Sequence, residues 1–267
     1  MAHPDSSENS ENALERMLRI ATTAPGRRPE FYQLLLESDV YVVTTQRPPG
    51  QNIVPADSDL AIVEFECEDG TWVVPFFSSL AMARHGAPGE KAAVIMCGRE
   101  LFKMFPQRIL LLNLNCPFGR QFNPDEVERL LATGTVGYTE KEVLDKAKPI
   151  IIEAATDAPA DTISALITLY SRTPHVAAAY MVRCRKPSHP EQSTFLIALV
   201  GTGDLYQVMR ESSGVIRDTY CGGDVIDMVQ MPDRDEDIWT DIRAIAIRFY
   251  DRAWGERISD AFGGPHH

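Results

Sequence analysis

The chain is short of paired cysteines, of basic charge and of long apolar runs, and each shortage removes a class of protein. Its five cysteines (Cys67, Cys97, Cys116, Cys184 and Cys221) are odd in number, widely scattered and free of any C-x-x-C pair. That argues against a disulfide framework or a structural zinc site, and for a reducing compartment. Basic residues number 26 against 38 acidic ones, for a net charge of −12. Such a chain is repelled by phosphate backbones and anionic membrane surfaces, so neither nucleic acid nor membrane is expected as a partner. A basic protein is the partner its charge favours. No stretch reaches the roughly 18 apolar residues of a membrane span. The opening MAHPDSSENSEN lacks the basic and apolar regions of a secretory signal. A cytoplasmic location is expected.

Recognisable catalytic and cofactor patterns are missing too. The six histidines (His3, His85, His175, His189, His266, His267) contain no H-x-x-x-H or H-E-x-x-H spacing, so no metal is expected. G-x-S-x-G and G-x-x-x-x-G-K-[ST] are absent. The run FLIALVGTGD (195–204) starts like a dinucleotide fingerprint, but Tyr206 stands where the third glycine belongs. Its flanking strands also read as antiparallel, so it is taken as a turn with a helix cap and no cofactor is expected. Cys116 is the one candidate reactive thiol, because Arg120 and a helix start follow it; the plainer reading is a turn cysteine beside Pro117.

What is present is ordinary globular chain: 44% hydrophobic and 24% charged residues over 267 positions, enough for two cores. Residues 1–10 read as a disordered leader, 11–135 as an N-terminal domain, 136–148 as a linker carrying a small Thr139/Glu142-capped helix, and 149–267 as a C-terminal domain. Leu14, Met17, Leu18 and Ala21 mark a first helix, and Phe31, Leu34 and Leu35 a second starting near Pro29. A strand over Asp39–Thr45 and a Pro/Gly-rich loop over Arg47–Pro55 follow. Two strands, Leu60–Glu66 and Thr71–Phe77, flank the hairpin dipeptide Asp69-Gly70, and Pro75 places a sheet edge there. Short helices over Ser78–Arg84 and Glu100–Met104 alternate with strands over Ala92–Cys97 and Ile109–Asn113. Asn123 then caps a helix with Pro124 in its first turn and Val127, Leu130 and Leu131 on its buried face.

The second half reads β-α-β-β-α-β-α. It has a strand at Pro149–Glu153 and a helix with Ile163, Leu166, Ile167 and Tyr170 on one face. A hairpin of Val176–Cys184 with Thr194–Val200 follows, with a long polar tip over Arg185–Glu191. Next come a helix bearing Leu205 and Val208, a strand over Asp224–Gln230, and a last helix with Ile238, Ile242, Ile245 and Phe249 in step, ending near Gly255. The expected class is α+β: two domains, each a small, mostly antiparallel or mixed sheet covered by helices.

Five stretches taken in order, RRPEFYQLLLESDVYV (27–42), DGTWVVPFFSSL (69–80), LLLNLNCPFGRQFNPDEVERLL (110–131), ISALITLYSRTPHVAAAYM (163–181) and FYDRAWGERISDAF (249–262), resemble the bacterial SseB family, named for enhanced serine sensitivity. The resemblance implies N- and C-terminal domains of that family's own types and a bacterial, cytosolic setting. It carries over no catalytic residue.

The functional expectation is therefore a non-catalytic protein that binds another protein, as an adaptor or inhibitor. One concrete form is an immunity protein capping a basic toxin. The alternative, an enzyme or accessory factor in serine or sulfur amino-acid metabolism, rests on the family's name alone. Candidate protein-binding residues are Phe118 and Arg120, an aromatic and a cation on one turn, and Trp254 near the C-terminus, since aromatics and arginine are enriched at binding hot spots. The plainer readings fold Phe118 inward and pack Trp254 on the core. No feature sets an oligomeric state.

Overall fold

The computed structural model describes residues 11–44, 62–66, 70–87, 92–139, 150–187, 189–231 and 237–254. The loop at 47–55, the first residues of the 60–66 strand, Asp69 and, beyond Thr139, the small helix expected in the linker lie outside the described residues. The chain divides into two compact units, Met1–Val136 and Gly137–His267.

In the N-terminal unit α1 (Ala13–Thr23) starts from a capping box in which Asn12 and Glu15 satisfy each other's backbone N–H groups, and it buries Leu14, Leu18 and Ala21. Helix α2 (Arg28–Glu37) has Pro29 in its first turn and buries Phe31, Tyr32, Leu35 and Leu36. Then come β1 (Asp39–Thr44), β2 (Phe65–Glu66), β3 (Trp72–Phe77), α3 (Leu80–Gly86), β4 (Ala92–Cys97), α4 (Gly98–Met104), β5 (Ile109–Leu112), β6 (Arg120–Phe122) and α5 (Pro124–Thr133). The sheet order is β4-β1-β3-β5-β6 with β2 also on β3. β3 and β5 run parallel, and the other neighbours are antiparallel.

Phe76, Phe102 and Phe122 meet with ring centroids 5.2–6.4 Å apart, and all three are buried. Each such burial stabilises by about 1.5–3 kcal/mol. Helix α5 ends at Gly134, whose φ of 75° is the left-handed conformation that suits a residue without Cβ.

The edge expected at Pro75 needs correcting, since β3 is an interior strand. Pro75 is paired with Leu111 of β5 on one side. On the other side β2 takes Trp72 and Val73, and β1 takes Phe76 and Phe77. Proline, with no N–H to give, sits where one partner has ended and the next has not begun.

The C-terminal unit runs β7 (Ile151–Ala154), α6 (Ala160–Ser171), β8 (Val176–Lys186), β9 (His189–Gly201), α7 (Tyr206–Thr219), β10 (Val225–Gln230), α8 (Asp237–Ile245) and β11 (Ile247–Asp251). Its sheet is β10-β9-β8-β11, with β7 also on β8. Helices α6 and α7 cover one face, with Leu166 and Tyr170 of α6 in one core with Met181, Ile197 and Leu199 of the sheet, while Trp239 and Ile242 of α8 pack with Val182, Leu196 and Ala198. The fold class is α+β with two mixed sheets.

Four local expectations change here. The hairpin tip is short, because β8 and β9 extend to Lys186 and His189. Strands β9 and β10 are parallel, so β9-α7-β10 is a βαβ unit and the antiparallel reading of 195–204 fails. On α6 the buried residues are Thr162, Ala165, Leu166, Leu169 and Tyr170, and Ile167 faces outward. The last helix stops at Ile245, and Ile247–Asp251 instead forms a strand on β8 with an irregularity between Arg248 and Tyr250. That irregularity lets Phe249 and Tyr250 join the same core, where a regular strand would point them to opposite faces.

Candidate functional site

Strands β3 and β5 are parallel and end side by side, a position that commonly builds ligand sites in sheets of this kind. The residue after each strand, Ser78 and Asn113, is polar and buried. Asn113 has a φ of 55° and Asn115 one of 59°, left-handed conformations that asparagine tolerates better than most residues. The Asn113 N–H donates to the Phe76 carbonyl at 2.8 Å. The Ser78 N–H donates to Asn113 Oδ1 at 2.9 Å, and Asn113 Nδ2 donates back to Ser78 Oγ at 3.0 Å. Ser78 Oγ passes its own proton toward Glu15 Oε1 at 3.0 Å. Glu15 Oε2 accepts the Asn12 N–H at 3.1 Å, and Asn12 Nδ2 donates to the Ser78 carbonyl at 2.8 Å. This network joins the start of α1 to the ends of the two strands.

Beside the network lies an open cleft of about 670 Å³, in the range of small-ligand and side-chain sites. Glu11, Asn12, Glu15 and Leu18 line it from α1 and the residues before it, and Tyr41 from β1. Residues 79–82 and Arg84 line it from α3 and its cap, and Asn113, Pro117 and Phe118 from the turn between β5 and β6. Phe118 is 40% exposed on that turn. Glu11 pairs with Arg19 at 2.9 Å, and this hydrogen bond holds its carboxyl below the usual carboxylate range. Glu15, half-buried, has no ion pair among the described residues; its contacts are to uncharged groups.

The structure separates the residues that the sequence grouped. Phe118 stands at the cleft, but Arg120 turns away from it. Its guanidinium lies 5.1 Å from the Tyr32 ring centroid and 5.3 Å from that of Phe122, and it pairs with buried Glu126 at 3.2 Å. Arg120 is thus a packing residue of the N-terminal core. Cys116 is half-buried, with its thiol donating to the carbonyls of Leu114 at 3.5 Å and Met82 at 3.6 Å. Burial, and then the Glu15 charge, push the thiol above its ordinary value. Both effects disfavour the thiolate that a reactive cysteine needs. Trp254, in the other unit, is 43% exposed rather than packed on the core, with the Arg248 guanidinium 5.8 Å from its ring.

At the turn of the βαβ unit, the Leu205 N–H is taken by Gln230 Oε1 at 3.2 Å and the Tyr206 N–H by Asp204 Oδ1 at 2.9 Å. Two N–H groups at the start of α7 are thus satisfied from within. Among the described residues no cluster of three or more His, Cys, Asp or Glu could hold a metal ion, and no helix is long and apolar enough to cross a membrane.

The sequence alone does not mark Asn12, Glu15, Ser78 and Asn113 as one site. The N-x-x-E spacing of Asn12 and Glu15 is a capping-box signature, and asparagines just past a strand end favour left-handed turns. Neither signal says that the two places meet.

Comparison with known proteins places this geometry in a lineage. No solved structure matches the chain significantly. Protein SseB of Escherichia coli (strain K12) is 33% identical over 251 residues, covering 94% of this chain and 96% of that protein, and Protein SseB of Shigella flexneri matches to the same extent. Residues 12–129 match the SseB protein N-terminal domain, which takes in the whole of the cleft but Glu11, and residues 144–252 match the SseB protein C-terminal domain. The chain belongs to the SseB family.

Proposed function

We propose that this SseB-family chain is a non-catalytic cytoplasmic binding protein that holds a protein partner in the cleft of its N-terminal unit. The observation that carries this reading is Phe118, an aromatic side chain 40% exposed at the rim of a formed cleft. Its turn is held by residues with little freedom. Gly119 lies so close to the chain that a Cβ there would stand 2.7 Å from the Leu112 carbonyl oxygen, and Asn113 is locked in the buried network. An aromatic fixed in place before binding loses little entropy when a partner covers it, which is how such residues become anchors. The net charge of −12 favours a basic partner and speeds encounter with it. A toxin capped by this chain is one partner of that kind.

The test is quantitative affinity purification from the native bacterium with the wild-type chain and with Phe118→Asp, both shown to be folded by circular dichroism. A partner recovered in stoichiometric amount with the wild type and lost with Phe118→Asp supports the reading. Recovery of the same proteins by both overturns it.

A further inference from the structure

Glu15 is the least compensated charge of the cleft. Its carboxylate is half-buried, held by the Ser78 hydroxyl and the Asn12 N–H, and meets no cation among the described residues. Each carboxylate oxygen offers about two acceptor sites, and each of these oxygens has one donor. The cleft also exposes an apolar and aromatic wall made by Tyr41, Met82 and Phe118. Among the described residues of the lining, Glu11 is already neutralised by Arg19, and Arg84, the one cation, has an interaction of its own. A fixed carboxylate beside aromatic rings suits a cation on an apolar stem, since the stem packs on the wall while the head reaches the charge.

We infer that the cleft receives a lysine or arginine side chain from an extended, basic and apolar segment of the partner protein, with Glu15 as its counter-ion and Phe118 covering the stem. This rests on the binding role proposed above and specifies the chemistry of the partner.

The probe is a fluorescein-labelled peptide with Leu-Lys-Phe at its centre and Gly/Ser flanks, titrated with the full chain and read by fluorescence anisotropy. Two companion peptides replace the lysine by norleucine or by glutamate. The lysine peptide is expected to bind at least tenfold more tightly than either companion, and Glu15→Gln to remove that preference. Glutamine keeps the capping-box geometry at that position, so the variant stays folded, as a thermal melt will show. Equal binding of lysine and norleucine peptides, undiminished preference in Glu15→Gln, or no binding of the lysine peptide overturns the inference. If one of these results is found while partner capture still depends on Phe118, the binding role stands and only the cationic specificity falls.

Discussion

Arg120 and Cys116 show how much a side chain's meaning depends on where its neighbours fold. Arg120 is drawn under the turn by two aromatic rings and by Glu126, whose side chain is 9% exposed. Arg120→Leu would remove this ion pair, and the loss of a half-buried pair of this kind is expected to cost about 1–3 kcal/mol. Urea unfolding of the variant measures it, and partner capture should survive wherever the variant is folded. Cys116 gives a pH test. Its thiol titrates above the ordinary value, so at pH 8 a smaller share is thiolate than for an exposed cysteine, and alkylation is slower. Cys184, pushed up to about 11 by burial, should be slower still, with exposed Cys221 as the internal reference. Site-resolved mass spectrometry after brief iodoacetamide treatment is expected to rank them Cys221, Cys116, Cys184. In Glu15→Gln the Cys116 rate should rise, because one of the two causes of its shift is gone.

At the scale of elements, what was legible in the sequence was local. Helix α5 was read in place because Asn123, Pro124 and Glu126 fix its start within four residues, and β4 because Ala92–Cys97 is a continuous apolar run. At the end of the chain sequence and structure part, because Ile238, Ile242, Ile245 and Phe249 keep helical step even though the chain leaves the helix at Ala246. Only the open edge of β8, far away in sequence, makes a strand of the next residues. The site divides the same way. Phe118 announces itself as an aromatic on a turn, whereas the Glu15–Ser78–Asn113 network joins residues separated by 63 and 35 positions. Close approach is equally invisible from sequence. At Gly86, which ends α3, a Cβ would lie 2.1 Å from the Leu114 carbonyl oxygen and 2.5 Å from the Phe77 ring. Gly86→Ala is expected to destabilise the N-terminal unit by about 1–3 kcal/mol, read by urea unfolding, and to shift the turn that carries Phe118.

For the whole molecule, charge bears on the binding role proposed above, and strand pairing sets how each unit closes. With a net charge of −12, association with a basic partner should slow as salt rises while dissociation changes little; stopped-flow measurements at several ionic strengths check this. In the C-terminal unit Arg183 stacks 4.1 Å from the Phe195 ring centroid and binds both Asp157 and Asp224. The Arg183 hydrogen bond holds the Asp157 carboxyl below the carboxylate range. A depressed acid contributes stability above its unfolded pKa, near 4, and loses it as pH falls through the lower folded value. Asp157→Asn should therefore flatten the acid limb of the unfolding curve, by a small amount because the pair is at the surface.

The two sheets share a device: one strand whose flank is divided end to end between two partners, β2 and β1 on β3, and β7 and β11 on β8. In the second case the partners come from opposite ends of the unit. Tyr250 and Arg252, at and just past the end of β11, also supply the hydrogen bonds to the carbonyls of Tyr170 and Thr173 at the end of α6. A ribosome delivers β11 after every element it must join. Until then the nascent C-terminal unit carries half an unpaired β8 flank, so its exposure to chaperones and proteases is timed by translation of β11.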